Sequence, residues 1–222
     1  MAVIASILSQ ERASTTRPAG RAEWTIMVLA VCLDVMGTVL YDPYVEALEA
    51  ATGLEIGQLQ ALADPATWPA FEIGAIDEAE FVRRFFTDPD RFFDAAELHR
   101  VRLAGYRFLP GMRDLLHAVE GRLERYAASN YPVWIEELVA TFDFSSCFDG
   151  VYASHHLRAR KPDPLFFELL LAEIGREAAD CLFVDDRAVN CQAAETVGMR
   201  AHHFTSAEDL SRRLRAEGVE VG

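Results

Sequence analysis

Apolar residues run along this chain in two alternating rhythms. TIMVLAVCLD (25–34) is a continuous apolar run closed by an acid, as a parallel strand buried on both faces requires. LERYAASN (123–130), DGVYAS (149–154), CLFVDD (181–186) and MRAHHF (199–204) read as shorter strands. Between them, LPGMRDLLHAVEGR, YPVWIEELVATF, PDPLFFELLLAEIG and RAVNCQAAETVG space their apolar residues three and four apart, the period of a helix with one buried face. Strands alternating with helices predict an α/β fold: a doubly wound, Rossmann-like parallel sheet with its site at the carboxyl ends of the strands.

One block breaks the alternation. Residues 43–108 contain PYVEALEAATG, LQALADPATWPAFEIGAIDEAEFVRRFF and most of DAAELHRVRLAGYRFL, all with helical spacing and no credible central strand. The expected organisation is therefore an α/β core from 27–42 and 109–222, with a small helical domain, 43–108, inserted after the first strand. Residues 1–26 are rich in Ala, Ser, Thr and Arg, and their apolar stretch is short for a signal sequence. They read as a disordered tail or an over-long start, with a transit peptide as the alternative.

Composition narrows the partners. The formal net charge of −14 disfavours nucleic acid at long range. A small anion could bind only where local cations or backbone N–H groups reverse that field. No segment is long enough to span a bilayer. Cys32, Cys147, Cys181 and Cys191 lack zinc-ligand spacing and read as thiols of a reduced, cytoplasmic protein. His155–His156 and His202–His203 are adjacent pairs; on strands, neighbours face opposite ways and make no chelate. The pattern does not fix an oligomeric state.

Chemistry gathers at the strand ends. Asp34 enters a Gly-Thr turn, Ser129 and Asn130 close the second core strand, Lys161 lies in RKPDP, and Asp185–Asp186 close CLFVDD. Each has an ordinary reading as a turn or a helix cap. Together they put two or three carboxylates beside an ammonium, a set suited to Mg²⁺ and a phosphoryl group. Lys161 is the only lysine among 21 basic residues, which suggests a need for a compact ammonium rather than a planar guanidinium.

Through DVMGT, SN, RKPDP and VDD the chain resembles the haloacid dehalogenase-like superfamily over about residues 27–210, and its insertion resembles that family's C1-type cap. LDVMGTVLYDPY, DPATWPAFEIGAIDEAEF and SNYPVW resemble the plant plastid flavin mononucleotide hydrolase branch and its bacterial relatives. The resemblance implies a phosphatase with Asp34 as nucleophile, forming an aspartyl-phosphate. Asp34, Asp185, Asp186 and the Met36 carbonyl would bind Mg²⁺. Ser129, Lys161 and the amides of Val35 and Met36 would hold the phosphate, and Asn130 would orient the site. The implied substrate is a small phosphorylated metabolite, with flavin mononucleotide as the particular expectation.

Met36 stands where most phosphatases of that family carry an acid/base aspartate. A thioether cannot protonate a leaving alkoxide, a role worth about 10²–10⁴-fold. Asp42, Glu72 and His155 are the substitutes the sequence offers. The alternatives are a domain that binds phosphate or a partner without turnover and, less favoured, a 2-haloacid dehalogenase, against which the paired acids argue. A Schiff-base phosphonate hydrolase is excluded because residues 43–108 hold no lysine. Tyr41, Tyr44, Trp68, Phe71, Tyr131 and Trp134 are candidates both for ligand contact and for the core.

Overall fold

The computed structural model describes residues 28–222; the expected tail and the start of the first apolar run lie outside them. Five parallel strands form the central sheet: β1 (Ala30–Leu33), β4 (Glu124–Ser129), β5 (Gly150–Ala153), β6 (Cys181–Asp185) and β7 (Arg200–His203). Their order is β5-β4-β1-β6-β7. The two central strands, β1 and β6, are fully buried and apolar up to the acid that closes β6, because helices cover both faces. Val31, Leu33, Leu182 and Val184 enter one hydrophobic cluster. Ala30, Cys32, Cys181 and Phe183 enter the other, as the two-residue period of a strand dictates.

A second, two-stranded sheet pairs β2 (Leu40–Tyr41) antiparallel with β3 (Arg107–Phe108). Sequence periodicity gives no sign of it, because two residues are too few to show alternation. All the helices of the inserted segment hang from this stem: α1 (Tyr44–Thr52), α2 (Ile56–Leu62), α3 (Thr67–Glu72), α4 (Glu78–Arg84) and α5 (Ala95–Gly105). Asp77 and Asp94 start α4 and α5 by accepting the amides of Glu80 and Glu97.

The remaining helices are α6 (Met112–Ala118), α7 (Ile135–Thr141), α8 (Phe144–Cys147), α9 (Ser154–Leu157), α10 (Pro164–Ile174), α11 (Ala188–Thr196) and α12 (Ala207–Ala216). His155 and His156 lie on α9, not on a strand as expected: the β5 pattern ends at Ala153 and the chain turns at once. All four cysteines are buried and free.

The inserted segment packs firmly on the sheet domain. Phe71 and Phe81 stack at 4.7 Å, and Trp134, just before α7, meets Phe71 edge-on at 5.0 Å. Buried Arg102 of α5 donates to Glu137 of α7 at 2.5 Å and lies 4.5 Å from the Trp134 ring. Below α3, Arg158 donates to the carbonyls of Ile73 and Gly74 at 3.0 and 2.6 Å.

Candidate active site

The chain runs outward from β1 through β4 to β5, then returns to place β6 on the other side of β1. The order therefore reverses between β1 and β6, where open α/β sheets form their ligand crevice. Asp34 follows β1 and Asp185–Asp186 close β6, so the carboxylates flank this switch point. Ser129 ends β4, and Lys161 comes in on the loop between α9 and α10.

Lys161 is buried, and all three of its N–H groups are used. It donates to Asp34 Oδ1 at 2.7 Å, to Asp185 Oδ2 at 2.7 Å and to the Ala128 carbonyl at 2.8 Å. Burial opposes its charge, but Asp34 and Asp185 outweigh that and hold the ammonium above its ordinary value. Asn130 fixes the lysine's backbone from both sides, donating to the Lys161 carbonyl and accepting the Lys161 amide, each at 2.8 Å.

Asp185 is enclosed: it accepts from Lys161, from the Arg187 amide at 2.8 Å and from Asn190 Nδ2 at 3.0 Å. Asn190 was not among the sequence candidates. Its only sequence signal is a polar residue on the face of a helix that otherwise buries Cys191 and Ala194. Asp186 is exposed and faces the turn after β1. A Cβ at Gly37 would fall 2.5 Å from Asp186 Oδ2, and Gly37 has φ +82°, so both space and backbone call for glycine.

Asp34, Asp185 and Asp186 each present an oxygen within 4.8 Å of the others. Three carboxylates face one buried ammonium and the Arg187 guanidinium in the cavity lining, so negative charge is in surplus. Burial is the main cause that lifts the Asp34 carboxyl to about 7; Lys161 pulls it down, and Asp185 and Asp186 add repulsion. Asp186 is raised by burial and then by Asp185. A divalent cation on these hard oxygens would relieve that surplus, so the donor set fits Mg²⁺. Ser129 Oγ is buried beside it with no hydrogen-bond partner among the described residues. The Gly37 amide is already bonded to the Leu40 carbonyl, whereas the Val35 and Met36 amides have no protein acceptor among the described residues.

These groups open into a cavity of about 300 Å³. Asp34, Ser129, Lys161 and Asp186 form its floor; Asp42, Tyr44, Trp68 and Glu72 come from the inserted segment and its stem. Met36 and Tyr131 complete the wall, whereas Phe71 and Trp134 belong to the core. Tyr41 lies outside the cavity lining, with Arg107 3.8 Å over its ring, and His155 does not reach the lining either.

A parallel sheet with a carboxylate after β1, a buried lysine and paired acids at its switch point is the arrangement of a haloacid dehalogenase-like hydrolase. Residues 28–198 match that family, and the chain belongs to it. It is 35% identical over 189 residues to flavin mononucleotide hydrolase 1 of Arabidopsis thaliana, a chloroplast protein, spanning 85% of this chain and 77% of that one. It is 30% identical over 190 residues to the sesquiterpene phosphatase astK of Aspergillus oryzae, spanning 81% of this chain and 92% of that one. Its fold is similar to that of a family enzyme from Bacteroides thetaiotaomicron solved with magnesium and inorganic phosphate: TM-score 0.70 at 19% identity, over 85% of this chain and all (100%) of that one.

Proposed function

We propose that this protein is a Mg²⁺-dependent phosphatase of small phosphorylated metabolites that works through an aspartyl-phosphate at Asp34. The observation that carries the reading is the shared Lys161 ammonium, 2.7 Å from both Asp34 and Asp185 and beside a third carboxylate. One lysine thus favours the ionised form of the nucleophile against burial and offers positive charge to an arriving phosphoryl group.

Mg²⁺ would be held by Asp34, Asp185, Asp186 and the Met36 carbonyl, where its charge would offset repulsion between an anionic substrate and the acidic floor. Ser129 Oγ, with no partner among the described residues, would donate to a phosphoryl oxygen. The Val35 and Met36 amides would do the same as part of a backbone nest. Asn130 acts one step back, since its amide is spent on the Lys161 backbone. Asp34 would attack phosphorus, the leaving oxygen would depart with the bonding pair, and water would then cleave the acyl-phosphate to regenerate the carboxylate.

In this reading residues 43–108 act as the cap, and residues 27–42 and 109–222 as the catalytic core. The cap places Tyr44 and Trp68 over the floor, 4.3 Å apart by ring centroids, with Tyr131 opposite. These rings and the 35% identity to a flavin mononucleotide hydrolase support that nucleotide as the first substrate to test. The four free thiols suit a reducing compartment such as the cytoplasm. One observation favours a second reading, phosphate binding without turnover: Met36 lines the cavity where a proton donor is needed.

The deciding experiment is release of p-nitrophenol from its phosphate with Mg²⁺, with chelator, and in Asp34→Asn. Turnover confined to the Mg²⁺-loaded native protein, with a beryllium fluoride adduct at Asp34, supports the phosphatase. Phosphate binding without release or adduct would leave the binding role.

A further inference from the structure

Hydrolysis of an alkyl phosphate needs a proton for the departing oxygen, and the thioether at position 36 has none to give. The three substitutes named by the sequence are not equal in the structure. Glu72 lines the cavity, but its carboxylate is committed to Arg160 at 2.6 Å and to the Trp68 indole N–H at 2.8 Å. His155 stands outside the cavity, under Gly74, where a Cβ would meet its ring nitrogen at 2.9 Å.

Asp42 is different. It lines the cavity at the point where β2 hands over to α1, and its Oδ1 accepts the Tyr44 amide at 3.0 Å. Its other oxygen has no protein donor among the described residues. The stem that carries it is tied to the catalytic turn. The Gly37 amide donates to the Leu40 carbonyl and the Leu40 amide to the Val35 carbonyl, each at 2.8 Å. Residue 42 thus follows two positions after the strand residue bonded to the turn that presents Met36, and it lines the same cavity as Asp34 and Met36.

Resting on the phosphatase reading above, we propose that Asp42 is the general acid and base of this enzyme, in place of the residue at position 36. As Asp34 Oδ bonds to phosphorus, the P–O bond to the alcohol breaks, its electron pair stays on the alcohol oxygen, and Asp42 delivers a proton there. The Asp42 carboxylate then takes a proton from water as that water attacks phosphorus. The acyl-phosphate P–O bond breaks, and its pair returns to the Asp34 carboxylate. Asp42 ends protonated, ready for the next cycle.

The surroundings suit a group that must both give and take a proton. Burial lifts the Asp42 carboxyl to about 6; the Tyr44 amide opposes this, Glu46 and Asp186 add to it, and Arg102 opposes it weakly. The phenols of Tyr44, Tyr106 and Tyr131 also face it, and burial raises all three above the ordinary tyrosine value, so they stay neutral there. An acid near 6 serves both roles close to neutral pH.

The test compares wild type with Asp42→Asn, which keeps the Oδ1 acceptor for Tyr44. The substrates are p-nitrophenyl phosphate and flavin mononucleotide, a primary alkyl phosphate, followed through the first turnover with Mg²⁺. With the aryl phosphate, the variant should release one equivalent of nitrophenol at near the native rate and then stall, because no base activates water. With the alkyl phosphate, the first turnover itself should fall by about 10²–10⁴-fold. Equal first-turnover rates on the alkyl phosphate would overturn Asp42 while leaving the phosphatase intact. No nitrophenol release by wild type, with no fluoroberyllate adduct at Asp34, would overturn both. If Asp42→Asn loses its native circular dichroism, Asp42→Glu decides: a displaced pH profile for alkyl turnover upholds the assignment, and an unchanged one overturns it.

Discussion

Lys161 Nζ sits 2.7 Å from Asp34 Oδ1, so the lysine and the proposed nucleophile form a buried ion pair before any substrate arrives. The pair spans 127 positions of sequence and joins the loop before α10 to the end of β1. Because Lys161 is 1% exposed and also bonds Asp185, it contributes to folding besides its proposed part in phosphate binding. Removing one partner of such a pair costs about 3–5 kcal/mol. Lys161→Ala should therefore lower the unfolding free energy by that order in chelator, with Mg²⁺ recovering part of it. Lys161→Arg keeps the charge but brings a planar fork to a pocket built for three divergent N–H groups. Its turnover should fall at least about tenfold. Denaturant unfolding beside steady-state rates checks both; full activity in Lys161→Arg would argue against a tight lysine–phosphate contact.

The two acids at the end of β6 should separate by experiment. Asp185 is fully buried and accepts from Lys161, Arg187 and Asn190, so an amide there would set N–H against N–H. Asp185→Asn should cost about 1–3 kcal/mol of stability in addition to weakening Mg²⁺. Asp186 is exposed, and its carboxylate accepts no hydrogen bond from another residue among the described residues. Asp186→Asn should leave the melting temperature nearly unchanged while Mg²⁺ affinity drops by about tenfold or more. Calorimetric titration of Mg²⁺ beside thermal melts would show it. Equal losses of stability in the two variants would contradict the assignment.

Asp42 also predicts a pH dependence of stability. Its carboxyl titrates at about 6 in the folded protein against 3.8 ordinarily, so the folded state binds that proton more tightly. That contribution is fully present below about pH 4 and is lost as pH rises through 6. A shift of about two units is worth about 2–3 kcal/mol. Asp42→Asn cannot ionise, so it should be more stable than wild type at pH 8, by up to that amount, and nearly equal at pH 4. Urea unfolding at the two pH values measures the difference. A variant less stable at pH 8 would mean that the carboxylate is held by partners stronger than the Tyr44 amide.

The sequence brings the floor of the site together but only offers candidates for its wall, and the reason lies in how each is built. Asp34, Ser129 and Asp185 each end a buried strand, and a polar residue closing an apolar run shows in the pattern of one short segment. Lys161 stood out through composition. Parallel pairing of β1 with β4 and β6 then brings these ends together without further specification. The wall depends on the stem of β2 and β3, too short to have a period, and on Arg102 reaching Glu137 across 35 positions. Asp42 and Glu72 look alike as acids in the sequence. Their partners tell them apart: Glu72 is held by Arg160, 88 positions away, and by the Trp68 indole N–H.

Met36→Asp tests how the site does without an acid at its usual place. Met36 is partly buried against the core, so the change should cost a little stability, about 1 kcal/mol. A carboxylate there would join Asp34, Asp185 and Asp186 in a floor already short of positive charge, and Mg²⁺ affinity should rise or hold. If Asp42 already supplies the proton, the new acid is redundant in the native background, and alkyl-phosphate turnover should change by less than about tenfold. In the Asp42→Asn background it should restore much of the lost first-turnover rate, by about 10²-fold if the carboxylate aligns. The double-mutant cycle therefore gives strong coupling between two residues that need not touch, because both would serve one proton transfer. Additive effects would place Asp42 outside the chemistry. A large gain from Met36→Asp alone would show that the native enzyme works without any acid and is held to substrates with good leaving groups.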